Sequence, residues 1–397
     1  ELGIPGRELM ENAGRSACDF IEARFGLIKN RSVLVCAGKG NNGGDGLVVA
    51  RILAERGAVV TVLTLASEEN ATPDTGANLL ALRSVENVEI IPYRGMGSDY
   101  VLPTTDLIID ALLGIGVDGT LREPTNSLCA WINGQNAPVV SMDVPTGLSS
   151  DSGAATFNAI QATTTVAMAA LKTGHLLSNG PVLSGPIDVA EIGIPDEIIQ
   201  EEAVACRATD DWVAAALPAR AHDAHKYSTG RVLAIVGSRM FTGAAVLSTA
   251  ACYRMGAGAV VCCTPASAQV AIDAHALEVM VAAQKESDEG SLAITSYDDI
   301  VSRLEEGDAV LIGCGLGRSS ETARLVQALL RRLDSPTVID ADGLNALAGH
   351  MDTLPELSNG QFVLTPHMGE LKRLLGEEEM DTAKPLELAR TYAMKWN

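Results

Sequence analysis

Short apolar runs alternate with amphipathic stretches along most of the chain, and this alternation predicts its secondary structure. In the first half, apolar runs predict five strands, at residues 33–37, 58–65, 88–91, 106–112 and 138–142. Between them, apolar residues recur at helical spacing in residues 46–56 and 78–84. Alternation of strand and helix is typical of an α/β layered fold with a mainly parallel sheet.

A second series of the same kind begins after residue 204. It predicts strands at residues 231–236, 259–264, 308–312, 337–339 and 361–364, and helices at 243–255, 320–333 and 369–375. The segment 187–208, with an acidic stretch around 197–202, separates the two series and is our predicted linker. We therefore expect two three-layer α/β domains, at residues 1–204 and 205–397, each large enough to bury its own core.

Composition and charge limit what the protein can bind. Apolar residues make up 47% of the chain and aromatic residues only 4%, a mixture that suits strands buried on both faces. The net charge of −21 repels nucleic acid and anionic membranes, so we expect neither as a partner. If the ligand is an anionic dinucleotide, a local cradle must overcome this field.

The eight cysteines show no paired spacing of the kind that binds a metal. Most lie in apolar runs, which indicates buried free thiols in a reducing compartment. The sequence contains no signal peptide and no apolar run of membrane-spanning length. We therefore expect a cytoplasmic protein.

The first predicted strand runs into a glycine-rich segment, residues 38–46, and a helix follows. Its glycines match G-x-G-x-x-G spacing, which lets backbone approach a pyrophosphate at a helix N-terminus. The spacing alone is equally typical of a tight turn. The segment also contains Asn41, Asn42 and Asp45, whose amides and carboxylate supply donors and oxygen ligands that a turn does not need. These side chains favour a ligand site over a tight turn.

Two further aspartates, Asp110 and Asp143, end predicted strands, and each is followed by a glycine-containing loop. A single aspartate after a strand is usually a helix cap or turn former. In a parallel sheet, however, ligands bind in the crevice beyond the carboxyl ends of the strands, where all three segments end. Their convergence favours a ligand site over three separate caps.

Three segments resemble the motifs of the NAD(P)H-hydrate epimerase family, in order: GNNGGDG at 40–46, DALLGIG at 110–116 and DVPTGL at 143–148. Residues 3–5 and 9–14 resemble the first helix of that family, and the likeness covers residues 1 to about 200. It implies a Rossmann-like domain that interconverts the R and S forms of hydrated NADH and NADPH.

The resemblance also implies roles for individual residues. Asp143 would be the catalytic acid–base group that assists inversion at C6 of the nicotinamide ring. A potassium ion would be held by Asn42, Asp110 and Thr146, in line with the preference of hard cations for oxygen ligands. The hydrated dinucleotide would be bound by Asn41, Asn42, Gly43, Gly44, Asp45, Gly114, Ile115, Gly116, Val117, Asp118, Gly119, Thr120 and Asp143. Animal members carry a lysine where Asp118 stands, so we assign no second catalytic group there.

In the second half, polar and glycine-rich segments again follow strands, at residues 225–230, 237–245, 313–317, 340–345 and 365–370. Together they resemble the ADP- or ATP-dependent NAD(P)H-hydrate dehydratases, relatives of the ribokinase-like sugar kinases, from about residue 205 onward. The resemblance implies ADP or ATP, with magnesium, as cofactor. Contacts to the hydrated dinucleotide would come from Ala244, Gly317 and His367. Motif positions nearer the phosphate chemistry are occupied by Lys226, Asp340, Asn345 and Glu370.

His367 and Glu370 leave two interpretations open. They fit a metal or acid–base site, and they equally fit a helix cap with a first-turn acid.

The second domain departs from its family in one respect. The Lys-Gly segment and the Gly-Thr/Ser-Gly-Asp motif do not occur after Glu370, and both ends of the sequence look cut. We therefore expect an incomplete ribokinase-like domain without dehydratase activity in this chain, and a homo-oligomer. The alternatives are a sugar or vitamin kinase, and a nucleotide-binding module without turnover.

Overall fold

The computed structural model describes residues 3–67, 69–95, 104–116, 119–356, 361–376 and 385–396. The chain divides into two compact units, Glu1–Ala208 and Thr209–Asn397. Each unit is built on a parallel sheet.

The described part of the first unit contains seven strands in the order β3-β2-β1-β4-β5-β6-β7, and every neighbouring pair is parallel. The strands are β1 Ser32–Ala37, β2 Val59–Thr64, β3 Val88–Pro92, β4 Leu107–Ala111, β5 Val139–Met142, β6 Thr164–Met168 and β7 Ile187–Ala190. The chain order reverses between β1 and β4. Such a reversal opens a crevice beyond the strand ends, where α/β proteins bind ligands.

Helices cover both faces of this sheet. They are α1 Gly6–Phe25, α2 Asn41–Glu55, α3 Pro73–Leu82, α4 Thr125–Asn133, α5 Gly180–Leu183 and α6 Asp196–Glu202. Alternate residues of β1 belong to opposite core clusters: Val33 and Val35 pack with α1 and α2, and Leu34 and Cys36 pack with α4. Burial on both faces explains why the strand is an unbroken apolar run.

The second unit repeats the plan with a described parallel sheet in the order β10-β9-β8-β11-β12-β13. Its strands are β8 Arg231–Ile235, β9 Ala259–Pro265, β10 Met280–Gln284, β11 Ala309–Ile312, β12 Thr337–Ile339 and β13 Phe362–Leu364. Its helices are α7 Asp210–Ala216, α8 Thr242–Arg254, α9 Gln269–Asp273, α10 Tyr297–Leu304, α11 Ser320–Leu330, α12 Asp342–Leu347, α13 Met368–Leu375 and α14 Pro385–Trp396. Here the chain order reverses between β8 and β11.

The structure confirms the predicted α/β class and all ten predicted strands, each within one residue at either end. The helix predicted at 46–56 begins earlier, at Asn41, because close packing of its glycines outweighs their low helix propensity.

The linker prediction was wrong at its start. Ile187–Ala190 forms strand β7, which pairs with β6, and Asp196–Glu202 forms a helix. Strands β6, β7 and β10 were missed.

Candidate active site

A cavity of about 1140 Å³ lies at the carboxyl ends of β1, β4 and β5, where the chain order reverses. Its size suits a ligand larger than a single nucleotide. Of the residues predicted to bind substrate, its lining includes Asn41, Asn42, Asp45, Gly114, Ile115, Gly116, Thr120 and Asp143. Lys39, Arg94 and Arg122 also line it and supply positive charge in a strongly acidic protein.

Glycines bring the segments around this cavity close together. A Cβ atom at Gly38 would lie 1.8 Å from the Leu112 carbonyl oxygen, and one at Gly43 would lie 2.1 Å from the Gly38 oxygen. A Cβ at Gly44 would lie 2.9 Å from the Met10 sulfur. Gly43 and Gly44 are thus buried inside α2, where they permit close packing. The predicted substrate contacts of these two residues stay a prediction.

Asp110, at the end of β4, is fully buried and surrounded by neutral donors. Ser141 Oγ donates to Oδ2 (2.8 Å), Thr146 donates through Oγ1 to Oδ1 (2.6 Å) and through its backbone N–H to Oδ2 (2.9 Å). Burial raises the pKa of Asp110, although the Thr146 and Ser141 hydrogen bonds oppose this. No lysine or arginine among the described residues pairs with it. A buried carboxylate so placed needs a counter-charge or a proton.

Asn42 lies near Thr146, a hydrogen-bond partner of Asp110, and has a side-chain oxygen without a hydrogen-bond partner among the described residues. Its Nδ2 donates to the Leu113 carbonyl (2.9 Å), and the Leu113 N–H donates to Thr146 Oγ1 (3.1 Å). Asn42 Oδ1 is buried and has no hydrogen-bond partner within the described parts of the chain. The site thus offers an amide oxygen, a hydroxyl and a carboxylate, and the amide oxygen lacks a hydrogen-bond partner among the described residues. Such a set of oxygen ligands fits a hard cation.

Asp143, which follows β5, meets a different environment. Its backbone adopts a left-handed conformation (φ 64°), and its side chain is contacted by the ammonium of Lys172. The Met168 N–H donates to the same oxygen, Oδ1 (3.3 Å), and Lys172 Nζ also donates to the Met168 carbonyl (2.8 Å). A strained backbone held by several partners is typical of functional positions.

His175 supports this arrangement from behind. Its Nδ1 accepts from the Lys172 backbone N–H (3.2 Å), so Nε2 carries the ring proton and donates to the Asp143 carbonyl (2.9 Å). Burial, and secondarily the charge of Lys172, lower the pKa of His175. The neutral imidazole therefore ties the turn after β6 to the backbone of Asp143.

Asp45 faces the same cavity from α2. Burial raises its pKa to about 8; the charge of Asp143 adds to the rise, and that of Lys172 opposes it. Two carboxyl groups in different environments therefore share one cavity.

The second unit places its predicted residues at strand ends as well. A Cβ at Gly315 would lie 2.8 Å from the Ala244 Cβ, so the loop after β11 and α8 meet closely there. The Gly317 N–H donates to Asp342 Oδ2 (2.9 Å), and Asp342 Oδ1 accepts from the Asn345 amide (3.0 Å).

His367 forms a helix cap. Its Nδ1 accepts from the backbone N–H of Gly369 (3.0 Å) and Glu370 (3.4 Å), while Glu370 Oε2 accepts from the His367 N–H (3.0 Å). Of the two open interpretations, the structure shows the cap with its first-turn acid.

Comparison with known proteins places both halves. Residues 6–174 match the family described as YjeF-related protein N-terminus, and residues 232–397 match the NAD(P)H-hydrate dehydratase family. The bifunctional NAD(P)H-hydrate repair enzyme Nnr of Salinibacter ruber is 40% identical over 100% of this chain and 76% of its own length. The enzyme of the same name from Moorella thermoacetica is 38% identical, with the same coverage.

The chain belongs to the bifunctional NAD(P)H-hydrate repair enzymes. This bears out the family expected from the sequence motifs and favours it over a sugar kinase or a bare binding module. A crystal structure of the ADP/ATP-dependent NAD(P)H-hydrate dehydratase from Bacillus subtilis is 29% identical, with a TM-score of 0.38 over 47% of this chain and 61% of that one.

For this repair-enzyme family member, five of the substrate-binding residues predicted in the first unit fall outside the lining of the cavity or outside the description. Two of them, Gly43 and Gly44, are buried in α2. Val117 and Asp118 lie outside the described residues. Gly119 is exposed, with a left-handed backbone (φ 83°).

Neither Lys172 nor His175 was predicted from the sequence as a site residue. The only signal was a lysine and a histidine in the mostly small and apolar segment 164–177, which also contained the missed strand β6.

Proposed function

We propose that the first unit interconverts the R and S hydrates of NADH and NADPH, and that the second unit contributes to the ADP- or ATP-dependent dehydration of the S hydrate, with magnesium. The chain belongs to the NAD(P)H-hydrate repair enzymes, and one observation supports the epimerase activity proposed for the first unit. A cavity at the reversal of strand order holds the carboxylate of Asp143, contacted by the Lys172 ammonium.

The cavity's charges support an anionic substrate. Lys39, Arg94 and Arg122 line it and suit the phosphates of a dinucleotide, because guanidinium and ammonium groups bind phosphate oxygens with charge-assisted hydrogen bonds. They supply cations for phosphate in a cavity that Asp45, Glu123 and Asp143 also line, within a chain whose net charge is −21. All of the substrate-binding residues expected from the sequence, including Gly43, Gly44, Val117, Asp118 and Gly119, remain part of this proposal.

Inversion at C6 requires proton transfer at two moments. The hydroxyl must be protonated as its C–O bond breaks, with the ring nitrogen forming a double bond to C6. Water must then lose a proton as it adds to the other face and those electrons return to nitrogen. The sum is redox-neutral. Asp143, buried but open to the cavity, would take part in this proton exchange.

The potassium ion would be held by Asn42, Asp110 and Thr146. The buried orphan Asn42 Oδ1 and the fully buried carboxylate, without a basic partner among the described residues, fit such an ion. It would supply the counter-charge of Asp110.

In the second unit, Ala244, Gly317 and His367 would contact the hydrated dinucleotide. A chain of hydrogen bonds supports this proposal, because it connects the Gly317 loop with α13, which His367 caps. The Gly317 N–H donates to Asp342, the Asn345 amide donates to Asp342, and Arg373 Nε of α13 donates to Asn345 Oδ1 (2.8 Å).

Location and assembly complete the proposal. None of the described helices is long and apolar enough to cross a membrane. The eight cysteines are free thiols, and burial raises the pKa of Cys18 to about 12, so that thiol is unreactive. We place the protein in the cytoplasm as a homo-oligomer, without nucleic acid or membrane partners.

The test of the first activity is direct. The protein is added to the separated R epimer of hydrated NADH, and appearance of the S epimer is followed by chromatography. Conversion clearly faster than in a protein-free sample is expected. An unchanged rate would refute the epimerase assignment.

A further inference from the structure

We propose that Asp45 is the second catalytic carboxyl group of the epimerase, acting as proton donor where Asp143 acts as proton acceptor. In this scheme Lys172 is the positioning residue that assigns the two roles. The inference rests on the proposed function, because it assigns groups to the two proton transfers that epimerisation requires.

The geometry places both carboxyl groups on one cavity. Asp45 reaches it from α2 and Asp143 from the end of β5, and the Gly114 backbone runs beside Asp143. A Cβ at Gly114 would lie only 3.3 Å from Asp143 Oδ2. A substrate in this cavity would therefore meet both side chains.

The ammonium of Lys172 contacts Asp143 and not Asp45. Lys172 Nζ contacts Asp143 Oδ1 and is fixed by the carbonyl groups of Met168 (2.8 Å) and Ala170 (3.2 Å). Asp45 accepts no hydrogen bond or ion pair from the described residues. Lys172 is thus the counter-ion of Asp143, which is left as the carboxylate.

The surroundings favour a proton on Asp45. The charged groups that act on it are Asp143, from the end of β5, and Lys172, from the turn after β6. Burial and the neighbouring Asp143 raise the pKa of Asp45 to about 8. Two carboxyl groups whose environments separate their protonation states are the usual basis of an acid–base pair.

The reaction then balances. Asp45 gives its proton to the C6 hydroxyl, which leaves as water with the C–O electron pair, while the nitrogen lone pair forms the N1–C6 double bond. Water adds to the opposite face, Asp143 takes its proton, and the double-bond electrons return to nitrogen. One proton has moved from Asp45 to Asp143, and exchange with solvent resets the pair. No oxidant or reductant is consumed.

The first measurement is the pH profile of R-to-S conversion by the wild-type protein between about pH 6 and 9.5. Because Asp45 must be protonated, the rate should fall as pH rises through about 8. Asp45→Asn should lower the rate by about 10²–10⁴-fold and abolish this fall. Asp196→Asn, the same change at an exposed position, is the matched control and should behave as wild type.

A stability measurement checks that the loss is not unfolding. The native state keeps a proton on Asp45 up to about pH 8, whereas the unfolded chain loses it near the ordinary value of 3.8. Rising pH across this window therefore favours unfolding of the wild type. Asp45→Asn should have the higher melting temperature at pH 8, and this advantage should shrink toward pH 4.

Lys172 variants test the assignment of roles. Its charge lowers the pKa of Asp45, so Lys172→Met should move the alkaline fall in rate to higher pH as well as slow the reaction, and Lys172→Arg should restore the profile. A merely structural role would leave the position of the fall unchanged.

Some results would overturn the proposal. They are a wild-type rate that stays flat to pH 9.5, a folded Asp45→Asn protein with wild-type rate and profile, or an unshifted profile in Lys172→Met. If the wild type does not epimerise at all, the proposed function fails instead. The melting temperatures of Asp45→Asn would still show whether Asp45 carries a proton.

Discussion

The ends of β4 and β5 carry the same sequence feature and become two different sites. Asp110 and Asp143 each follow a buried apolar run on neighbouring parallel strands. Asp110 is enclosed by neutral donors from Ser141 and Thr146. Asp143 opens to the cavity and is contacted by the Lys172 ammonium. Asp110 lies within β4, opposite Ser141, whereas Asp143 lies one residue beyond β5. The position along the strand and the partners together decide the chemistry.

The difference shows what a carboxylate needs to act in a reaction. Asp143 has its own cation from the protein and faces the ligand space, so it can exchange protons with a substrate. Asp110 has no access to that space (0% exposed), and we propose that a bound ion meets its charge. We therefore assign catalysis to one strand end and cation binding to the other.

The largest effect is expected at the β5 end. Asp143→Asn keeps the shape of the side chain and removes the proton acceptor, so R-to-S conversion should slow by about 10²–10⁴-fold. The rate is measured by chromatography of the epimers, and a melting curve confirms that the variant is folded. A folded Asp143→Asn protein with the original rate would remove Asp143 from the mechanism.

A smaller effect is expected at the β4 end when potassium is added. An ion bound only by the folded state stabilises it by about 2.7 kcal/mol at a concentration 100 times its dissociation constant. Potassium should therefore raise the melting temperature of the wild type more than a bulky cation such as tetramethylammonium at equal ionic strength. Asp110→Asn should lose this selectivity, whereas Asp143→Asn should keep it. Equal shifts with both salts would contradict the cation site.

The smallest effect should come from one donor to Asp110. Ser141→Ala removes the 2.8 Å hydrogen bond to Oδ2, while both Thr146 bonds remain. We expect a loss of about 1.5 kcal/mol in the free energy of unfolding, the lower end for a hydrogen bond to a charged group. Denaturant unfolding measures it, with the exposed Ser84→Ala as control. A change no larger than that of the control would mean that Asp110 is not charged.

The same contrast explains how far the sequence predicts this molecule. Strand β1 is buried on both faces and is a nearly unbroken apolar run, so its position was visible without the structure. Strand β6 is also buried, but it begins with Thr164 and Thr165 and was missed. Strand β7 was missed as well, because its Asp188 faces Arg24 of α1 and interrupts the apolar pattern. An edge strand needs only one buried face, and its sequence resembles a linker.

Some residues of the candidate site could be predicted from the sequence, and others could not. Asn42, Asp110 and Asp143 could be singled out because each stands in a glycine-flanked segment after a strand. Lys172 and His175 could not, since they reach Asp143 from 29 and 32 residues along the chain through a strand that was not predicted. Their function depends on which loops the fold brings together, and local sequence carries no sign of that.

The most direct test of the two-site account is a crystal structure of the protein grown in rubidium chloride, since rubidium replaces potassium and scatters anomalously. We predict an anomalous peak coordinated by Asn42, Asp110 and Thr146, with Asp143 contacted by Lys172 and no ion. A structure in which Asp110 pairs with a lysine or arginine, and no ion lies beside it, would contradict the account.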